Sequence, residues 1–384
     1  MVVRNKARLP RVSSKEGIDY EETFAPVARL EAIRILLAFA ASKGFKLQQM
    51  DVKSAFPNGF IEEEVYVRQP PGFESARFPD RVYKLRKALY GPKQAPRAWY
   101  ARLKSFLLKS GFVMVVAVTP IVRIYVDDII FGGSSHALVS SFAERMSREF
   151  EMSLMGELQL FLGLQIKQGP EGTFVHQAKY TRDILKKFDM GDSKPMTTPM
   201  STNTALDADE DGEAAGHSIR GLPLCALPAS PRTSHRQVVK RIFGYPKFTP
   251  ELGLWYSSGS SLFLRGFSDA DHAGRRIDRK STSGTCQLLG TSLVSWSSRK
   301  QASVSLSTTK RVWKNPSSSG LYVCYFVAKN PVLHSRTKHI DVRFHFLRDH
   351  YEKGDIDLVH VASENQLADI FTKPLEFGAF VRLR

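Results

Sequence analysis

Three stretches of the chain repeat apolar residues with the period of an α-helix. They cover residues 27–43, 97–110 and 137–150, and Gly44 is a typical stop after the first. Their apolar positions are Leu30, Ile33, Leu36 and Leu37; Trp99, Leu103, Phe106 and Leu107; and Val139, Phe142, Met146 and Phe150. We therefore expect three amphipathic helices, and we expect these side chains, Trp99 included, to belong to a core and not to a nucleic-acid platform.

Short apolar runs between the helices predict strands. Residues 47–52 form one such run, with Asp51 at its end, and residues 82–85 form another. An acid at a strand end is equally typical of a cap for the following turn. The position of Asp51 alone leaves both interpretations open.

The most unusual stretch is residues 124–131, which read I-Y-V-D-D-I-I-F. Two apolar runs of this kind predict buried strands, yet Asp127 and Asp128 lie between them. Burying two like charges side by side is unfavourable unless a cation or another partner neutralises them. A polar hairpin turn is the alternative, but an ordinary turn would usually carry Gly, Asn or Pro. The pattern favours a strand–turn–strand that presents the two carboxylates to a divalent metal ion.

The later part of the chain predicts smaller elements. We expect a hairpin of residues 158–167 and 173–176, a helix at 180–188, and a linker at 189–235 rich in Pro, Ser, Thr and Asp. A basic helical piece at 236–243 should be cut short by Pro246. Strands are then predicted at 262–268, 284–289, 293–297 and 356–361, and helices at 338–351 and 365–372.

Composition narrows the class of protein. The 384 residues suffice for two or three domains, and the net charge of +17 indicates a polyanionic partner. The three cysteines are far apart, which argues against a disulfide framework and a zinc knuckle. No signal peptide or membrane-spanning run is visible, so we expect an intracellular protein, cytoplasmic (in a virus-like particle) or nuclear.

Several long motifs occur in a familiar order. The first half contains L-Q-Q-M-D-V-K-S-A-F-P-N-G, A-L-Y-G-P-K-Q-A-P-R-A-W-Y and Y-V-D-D. The second half contains F-S-D-A-D-H-A-G, D-R-K-S-T-S-G, L-V-S-W-S-S-R-K-Q and Q-L-A-D-I-F-T-K-P-L. The first set resembles the reverse transcriptase of copia-type LTR retrotransposons, and the second resembles the RNase H domain that follows it in the Pol polyprotein.

The resemblance implies an α/β (α+β) fold in which a polymerase palm and fingers domain precedes an RNase H-like α/β domain. The expected domains are residues 1–190, a linker or connection remnant at 191–260, and an incomplete RNase H-like domain at 261–376. The implied activity is RNA-directed DNA polymerase, with RNA template, DNA primer, RNA–DNA hybrid and dNTPs as partners. Two Mg²⁺ ions are the implied cofactors, with Mn²⁺ as a possible replacement.

The resemblance also assigns residues. Asp51, Asp127 and Asp128 match the catalytic, metal-binding acids of the palm, and Asp269 and Asp369 match metal-binding acids of RNase H. Nucleotide or template contacts are implied for the positions Lys6, Arg8, Phe56, Gly91 and Lys93. The primer grip is implied for Phe161, Leu162 and Gly163. Phe56 and Phe161 also suit a simple core position, because a buried Phe is mostly core.

Departures from the family pattern point to a degenerate copy. The stretch before Y-V-D-D is shortened to residues 113–123, which suggests a lost strand, and Pro57 and Pro92 replace the usual Leu. Where the RNase H pattern has a Glu, this chain has Thr309, Lys310 and Arg311. We therefore expect an inactive RNase H domain, and we keep a non-catalytic remnant that at most binds nucleic acid as the alternative for the whole chain.

Overall fold

The computed structural model describes residues 29–112, 120–201, 233–271, 280–304, 353–357, 359 and 361–384. The chain divides into two compact units between Gln159 and Leu160. None of the helices in the described residues combines the length and apolarity needed to cross a membrane.

The first unit is built on a four-stranded antiparallel sheet. Its strands are β1 (Leu47–Val52), β4 (Ile121–Tyr125), β5 (Asp128–Gly132) and β6 (Met152–Glu157), in the order β4-β5-β1-β6. A small two-stranded sheet, β2 (Tyr66–Val67) and β3 (Tyr83–Lys84), lies outside it. The predicted strands at 47–52 and 82–85 are confirmed, whereas β6 was not predicted. In the described residues β5 pairs regularly with β4 and with β1, so the double acid lies in a paired hairpin. The pairing of β1 with β6 has a register shift between Gln49 and Met50.

Three helices accompany this sheet, close to their predicted bounds. They are α1 (Leu30–Ser42), α2 (Ala95–Lys109) and α3 (His136–Glu149). One face of α2 and one face of α3 share a core with the β1 and β5 side chains Met50, Val52, Ile129 and Phe131. The predicted inward residues of α2 and α3 are in or against this core, because they recur at the helical period.

The second unit begins with a four-stranded antiparallel sheet, in which strands that follow one another along the chain are also neighbours. Its strands are β7 (Leu160–Phe161), β8 (Leu164–Gln168), β9 (Gly172–His176) and β10 (Gly253–Ser257), and the helices α4 (Ala178–Lys187) and α5 (Thr233–Phe248) pack together. The prediction of one strand at 158–167 was wrong, because Leu162 (φ 48°) and Gly163 (φ 80°) form a tight turn there. The strand β10 was not predicted.

The prediction that Pro246 ends the preceding helix was also wrong. Helix α5 continues to Phe248, since Lys247 donates to the carbonyl of Ser193 at 2.7 Å and also to that of Gly191. The first part of the predicted linker is therefore packed: the Met196 amide donates to the Gly244 carbonyl at 3.0 Å. These tertiary bonds hold the last turn of the helix although proline removes one helical hydrogen bond.

A three-stranded antiparallel sheet completes the second unit. It consists of β11 (Leu264–Ala270), β12 (Lys280–Leu289) and β13 (Ser292–Val304) in that order. The predicted helix at 365–372 is instead two 3₁₀ turns, Ser363–Asn365 and Leu367–Phe371, followed by an unpredicted helix, Phe377–Leu383. Of the predicted strand at 356–361, the described positions are not in a strand, and the predicted helix at 338–351 lies outside the described residues.

Candidate active site

The sheet of the first unit brings three carboxylates to one end of two neighbouring strands. Asp51 on β1 is the direct cross-strand partner of Asp128 on β5. Directly opposite residues of antiparallel strands point to the same face, with their Cβ atoms about 4.5–5.5 Å apart. Asp127 precedes Asp128 in the turn that joins β4 to β5. Strand register thus joins acids that are more than seventy positions apart in the sequence.

The turn that carries Asp127 has a strained backbone. Only Val126 and Asp127 connect the paired residues Tyr125 and Asp128, and Val126 has φ 56°. A β-branched residue is a genuine outlier in the left-handed region. The Asp127 carbonyl accepts the Val52 amide at 2.9 Å, and the Val126 carbonyl accepts the indole N–H of Trp99 at 2.6 Å. Both carbonyls of the turn are therefore bound by neighbouring elements.

Asp128 lies in an environment that disfavours its charge. Burial raises the pKa of the Asp128 carboxyl, and the neighbouring Asp127 raises it further. A hydrogen bond of 2.8 Å from the Gln49 amide to Asp128 Oδ1 partly offsets this rise in pKa. Gln49 is itself buried and lies two residues before Asp51 on β1. The negative charge of Asp128 is therefore unfavourable in this environment, and a nearby cation would stabilise it.

An aromatic pair borders the acids. The rings of Phe56 and Tyr90 are 4.5 Å apart, and Phe56 is half-buried in the 3₁₀ turn Phe56–Asn58. Burial raises the pKa of the Tyr90 phenol, and Asp127 and Asp51 raise it further, so the phenol stays neutral at physiological pH. Tyr90 belongs to the A-L-Y-G motif, but no role was predicted for it. Its place in this motif was the sequence signal that could have identified Tyr90 as a site residue.

The remaining predicted contact residues fall in different places. Gly91, at φ 136°, and exposed Lys93 lie in the loop that links Tyr90 to α2. Phe161 is buried in the second unit, in agreement with the core alternative, whereas Leu162 is exposed at the tip of the β7–β8 turn. Lys6 and Arg8, like Thr309, Lys310 and Arg311, lie outside the described residues. Their assigned roles stay predictions.

The second unit contains a separate acid pair. The Leu367–Phe371 turn packs on β11 and β12, and Gly284 permits this because a Cβ there would lie 2.7 Å from Thr372 Cγ2. Thr372 Oγ1 donates to Asp269 Oδ2 at 2.6 Å, while Lys373 Nζ lies 2.7 Å from Asp369 Oδ2 and 3.9 Å from Asp269 Oδ2. Burial raises the pKa of Asp369, the bond from Lys373 lowers it, and Asp269 raises it. The two predicted acids do meet, and an ammonium group bridges them.

The two acid sites differ in their fit to a divalent metal ion. Carboxylate oxygens suit Mg²⁺. A bound cation would also stabilise the charged form of Asp128, whose pKa is raised. Within the described residues, no three His, Cys, Asp or Glu side chains are gathered as a formed metal centre. The first site thus offers carboxylate ligands on paired strands, although they are not gathered as a metal centre in the described residues. The second pair does not fit as it stands, because Lys373 already supplies the positive charge.

Comparison with known proteins places these features in a family. Residues 1–202 match the family model "Reverse transcriptase (RNA-dependent DNA polymerase)". The chain is 35% identical to the retrovirus-related Pol polyprotein from transposon RE1 of Arabidopsis thaliana, over 98% of this chain and 30% of that protein. It is 32% identical to the Pol polyprotein from transposon TNT 1-94 of Nicotiana tabacum, over 99% of this chain and 34% of that protein. The chain thus spans about a third of the length of these curated relatives.

The alignment and a solved structure add two findings. The alignment with RE1 is 436 positions long, more than the 384 residues of this chain, so that protein has residues that this chain lacks. A solved structure of a foamy viral protease-reverse transcriptase in complex with RNA/DNA hybrid is similar over 86% of this chain and 45% of that chain, with 10% identity and a TM-score of 0.42. The predicted resemblance to copia-type Pol polyproteins is confirmed, and the chain belongs to the reverse transcriptase family.

Proposed function

We propose that this chain is an RNA-directed DNA polymerase that extends a primer 3′-hydroxyl with dNTPs on an RNA template. The observation that carries the proposal is the cross-strand pairing of Asp51 with Asp128, beside Asp127 in a fixed turn. The family match supports the same reaction class. The net charge of +17 suits a nucleic-acid partner, whose phosphates require neutralisation.

Asp51, Asp127 and Asp128 would hold two divalent cations. Bound Mg²⁺ would lower the pKa of the primer 3′-hydroxyl and neutralise negative charge on the triphosphate. The chain's own residues orient the reactants: the half-buried Phe56 ring, against Tyr90, would limit space beside the sugar. The neutral Tyr90 phenol adds no charge close to Asp51 and Asp127.

A primer-extension assay on poly(rA)/oligo(dT) with Mg²⁺ tests this function. We expect extension by the parent chain, loss of extension in Asp127→Asn, and unchanged extension in Asp183→Asn, which alters an exposed acid on α4. Template binding should persist in Asp127→Asn and weaken steeply with salt, because basic side chains release counterions from phosphates. Binding without extension by the parent would instead establish the non-catalytic alternative.

We propose further that the second unit does not cleave the RNA strand of an RNA–DNA hybrid. The sequence supports this, because Thr309, Lys310 and Arg311 replace the Glu of the family pattern, and two cations there repel a divalent metal ion. A labelled hybrid incubated with the full chain and Mg²⁺ or Mn²⁺ tests the proposal. Cleavage that disappears in Asp269→Asn would contradict it.

A further inference from the structure

The Val126–Asp127 turn needs support from outside its own hairpin. Val126 has φ 56°, a conformation that a β-branched side chain disfavours, and no glycine relieves the strain. Such conformations persist only where the surrounding structure imposes them. The position of Asp127 therefore depends on the contacts that hold this turn.

One of these contacts comes from within the sheet and the other from a helix. The Val52 amide, next to Asp51, donates to the Asp127 carbonyl at 2.9 Å. The Trp99 indole N–H, on α2, donates to the Val126 carbonyl at 2.6 Å. The Trp99 bond thus ties this turn to a helix outside the sheet.

Trp99 is itself rigidly placed. It is only 2% exposed, and its ring packs edge-on against Phe150 at 5.2 Å between centroids. The chain that follows Asp51 also lies against it: a Cβ at Gly59 would come within 2.6 Å of the Trp99 amide nitrogen. One residue thus contacts the segment after Asp51 and the turn that carries Asp127.

We propose that Trp99 is a positioning residue for the acid site, which acts through its indole N–H on the Val126 carbonyl. This inference rests on the proposed polymerase function and extends it to a residue outside the carboxylates. Ring packing alone would explain a large apolar side chain here, and Phe would serve equally. The Trp indole N–H also donates a hydrogen bond, which a Phe ring cannot do. Displacements of about 1 Å in such sites reduce rates by about 100-fold.

Replacement of Trp99 by 3-benzothienylalanine separates the two roles, because sulfur replaces the N–H while ring shape is kept. We expect kcat to fall by at least about tenfold, with the KM for dNTP and template binding changed by less than about twofold. Hydrogen exchange of the Val52 amide should accelerate, since the turn loosens, while amides in the centre of β1 keep their protection. The same replacement at Trp255, a half-exposed residue of β10, is the control and should change nothing.

A second variant tests the link to backbone strain. Val126→Gly removes the unfavourable left-handed conformation of a β-branched residue, so the turn should need the Trp99 bond less. We expect the benzothienyl replacement to lower kcat less in the Val126→Gly background than in the parent.

The outcomes distinguish this proposal from the polymerase function. Unchanged kcat together with unchanged Val52 exchange in the Trp99 analogue would overturn the positioning role and leave the function intact. If the parent does not extend a primer, the polymerase function fails, and exchange at Val52 alone decides whether Trp99 holds the turn. Accelerated exchange throughout β1 would show general destabilisation and would also overturn the proposal.

Discussion

The two acid sites of this chain balance their carboxylates in different ways. In the first unit, Asp128 receives a hydrogen bond from the neutral amide of Gln49, and its pKa remains raised. In the second unit, Asp369 receives one from the Lys373 ammonium, which also lies 3.9 Å from Asp269. A neutral donor leaves the negative charge for a cation, whereas an ammonium group cancels it. This difference supports the proposals that the first site binds divalent cations and that the second does not.

The largest expected effect comes from removing one carboxylate at each site. Asp128→Asn should lower primer extension by at least about 100-fold, because charge at a reacting oxygen is no longer stabilised. Asp369→Asn should leave extension within about twofold of the parent. Steady-state extension rates of both variants at equal template occupancy check this. Equal losses in the two variants would remove the distinction between the sites.

The aromatic pair should distinguish the first site by its selectivity. Phe56→Val removes the ring that packs 4.5 Å from Tyr90, so a 2′-hydroxyl should gain space. We expect the ratio of ribonucleotide to deoxyribonucleotide incorporation to rise by about tenfold or more, as expected for a steric gate. Competing GTP and dGTP in single-nucleotide extension measure the ratio. If an active variant keeps the parental ratio, Phe56 is core only.

Removal of the Lys373 ammonium group should make the second site resemble the first, with carboxylate charge that a metal ion can balance. Lys373→Met leaves the nearly buried Asp369 beside Asp269 without a neighbouring cation. We expect the free energy of unfolding at neutral pH to fall by about 1 kcal/mol, a small loss because Lys373 is partly exposed. Mn²⁺ should restore stability in this variant more than in the parent. Thermal melts with and without Mn²⁺ measure both effects, with Lys179→Met, an exposed lysine of α4, as the matched control. No added response to Mn²⁺ would show that the pair cannot accept a metal ion.

The smallest expected effect is a pH dependence of stability. Because the pKa of Asp128 is raised from 3.8, the folded state binds its proton more tightly than the unfolded state does. Stability therefore falls as pH rises through the interval between the unfolded and folded pKa values, and the penalty persists above it. Asp128→Asn removes this penalty, so the variant should melt higher than the parent at neutral pH and show a smaller difference in acid. A variant that melts lower than the parent at neutral pH would contradict the direction of this pKa shift.

The local elements of the fold were predictable because their signals are local. The apolar residues of α2 and α3 recur at the helical period, and the apolar run of β1 ends at Asp51, so element type followed from spacing alone. The motifs around Asp51 and the Asp127–Asp128 pair also predicted the family, which the comparisons confirm. A failure came from contacts distant in the sequence: Pro246 suggested a helix end, but bonds from Lys247 to Gly191 and Ser193 sustain the helix.

The sequence by itself determined which residues carry charge and where α1, α2, α3 and β1 lie, because neighbouring side chains specify both. Only the tertiary structure decided which of these residues meet. Strand register pairs Asp51 with Asp128, the packing of α2 brings the Trp99 indole to the Val126 carbonyl, and the absence of a side chain at Gly284 lets Lys373 reach the Asp269–Asp369 pair. These contacts join residues far apart in the chain, and no local pattern encodes them. Their energies are set by burial and hydrogen bonding, which exist only in the folded chain.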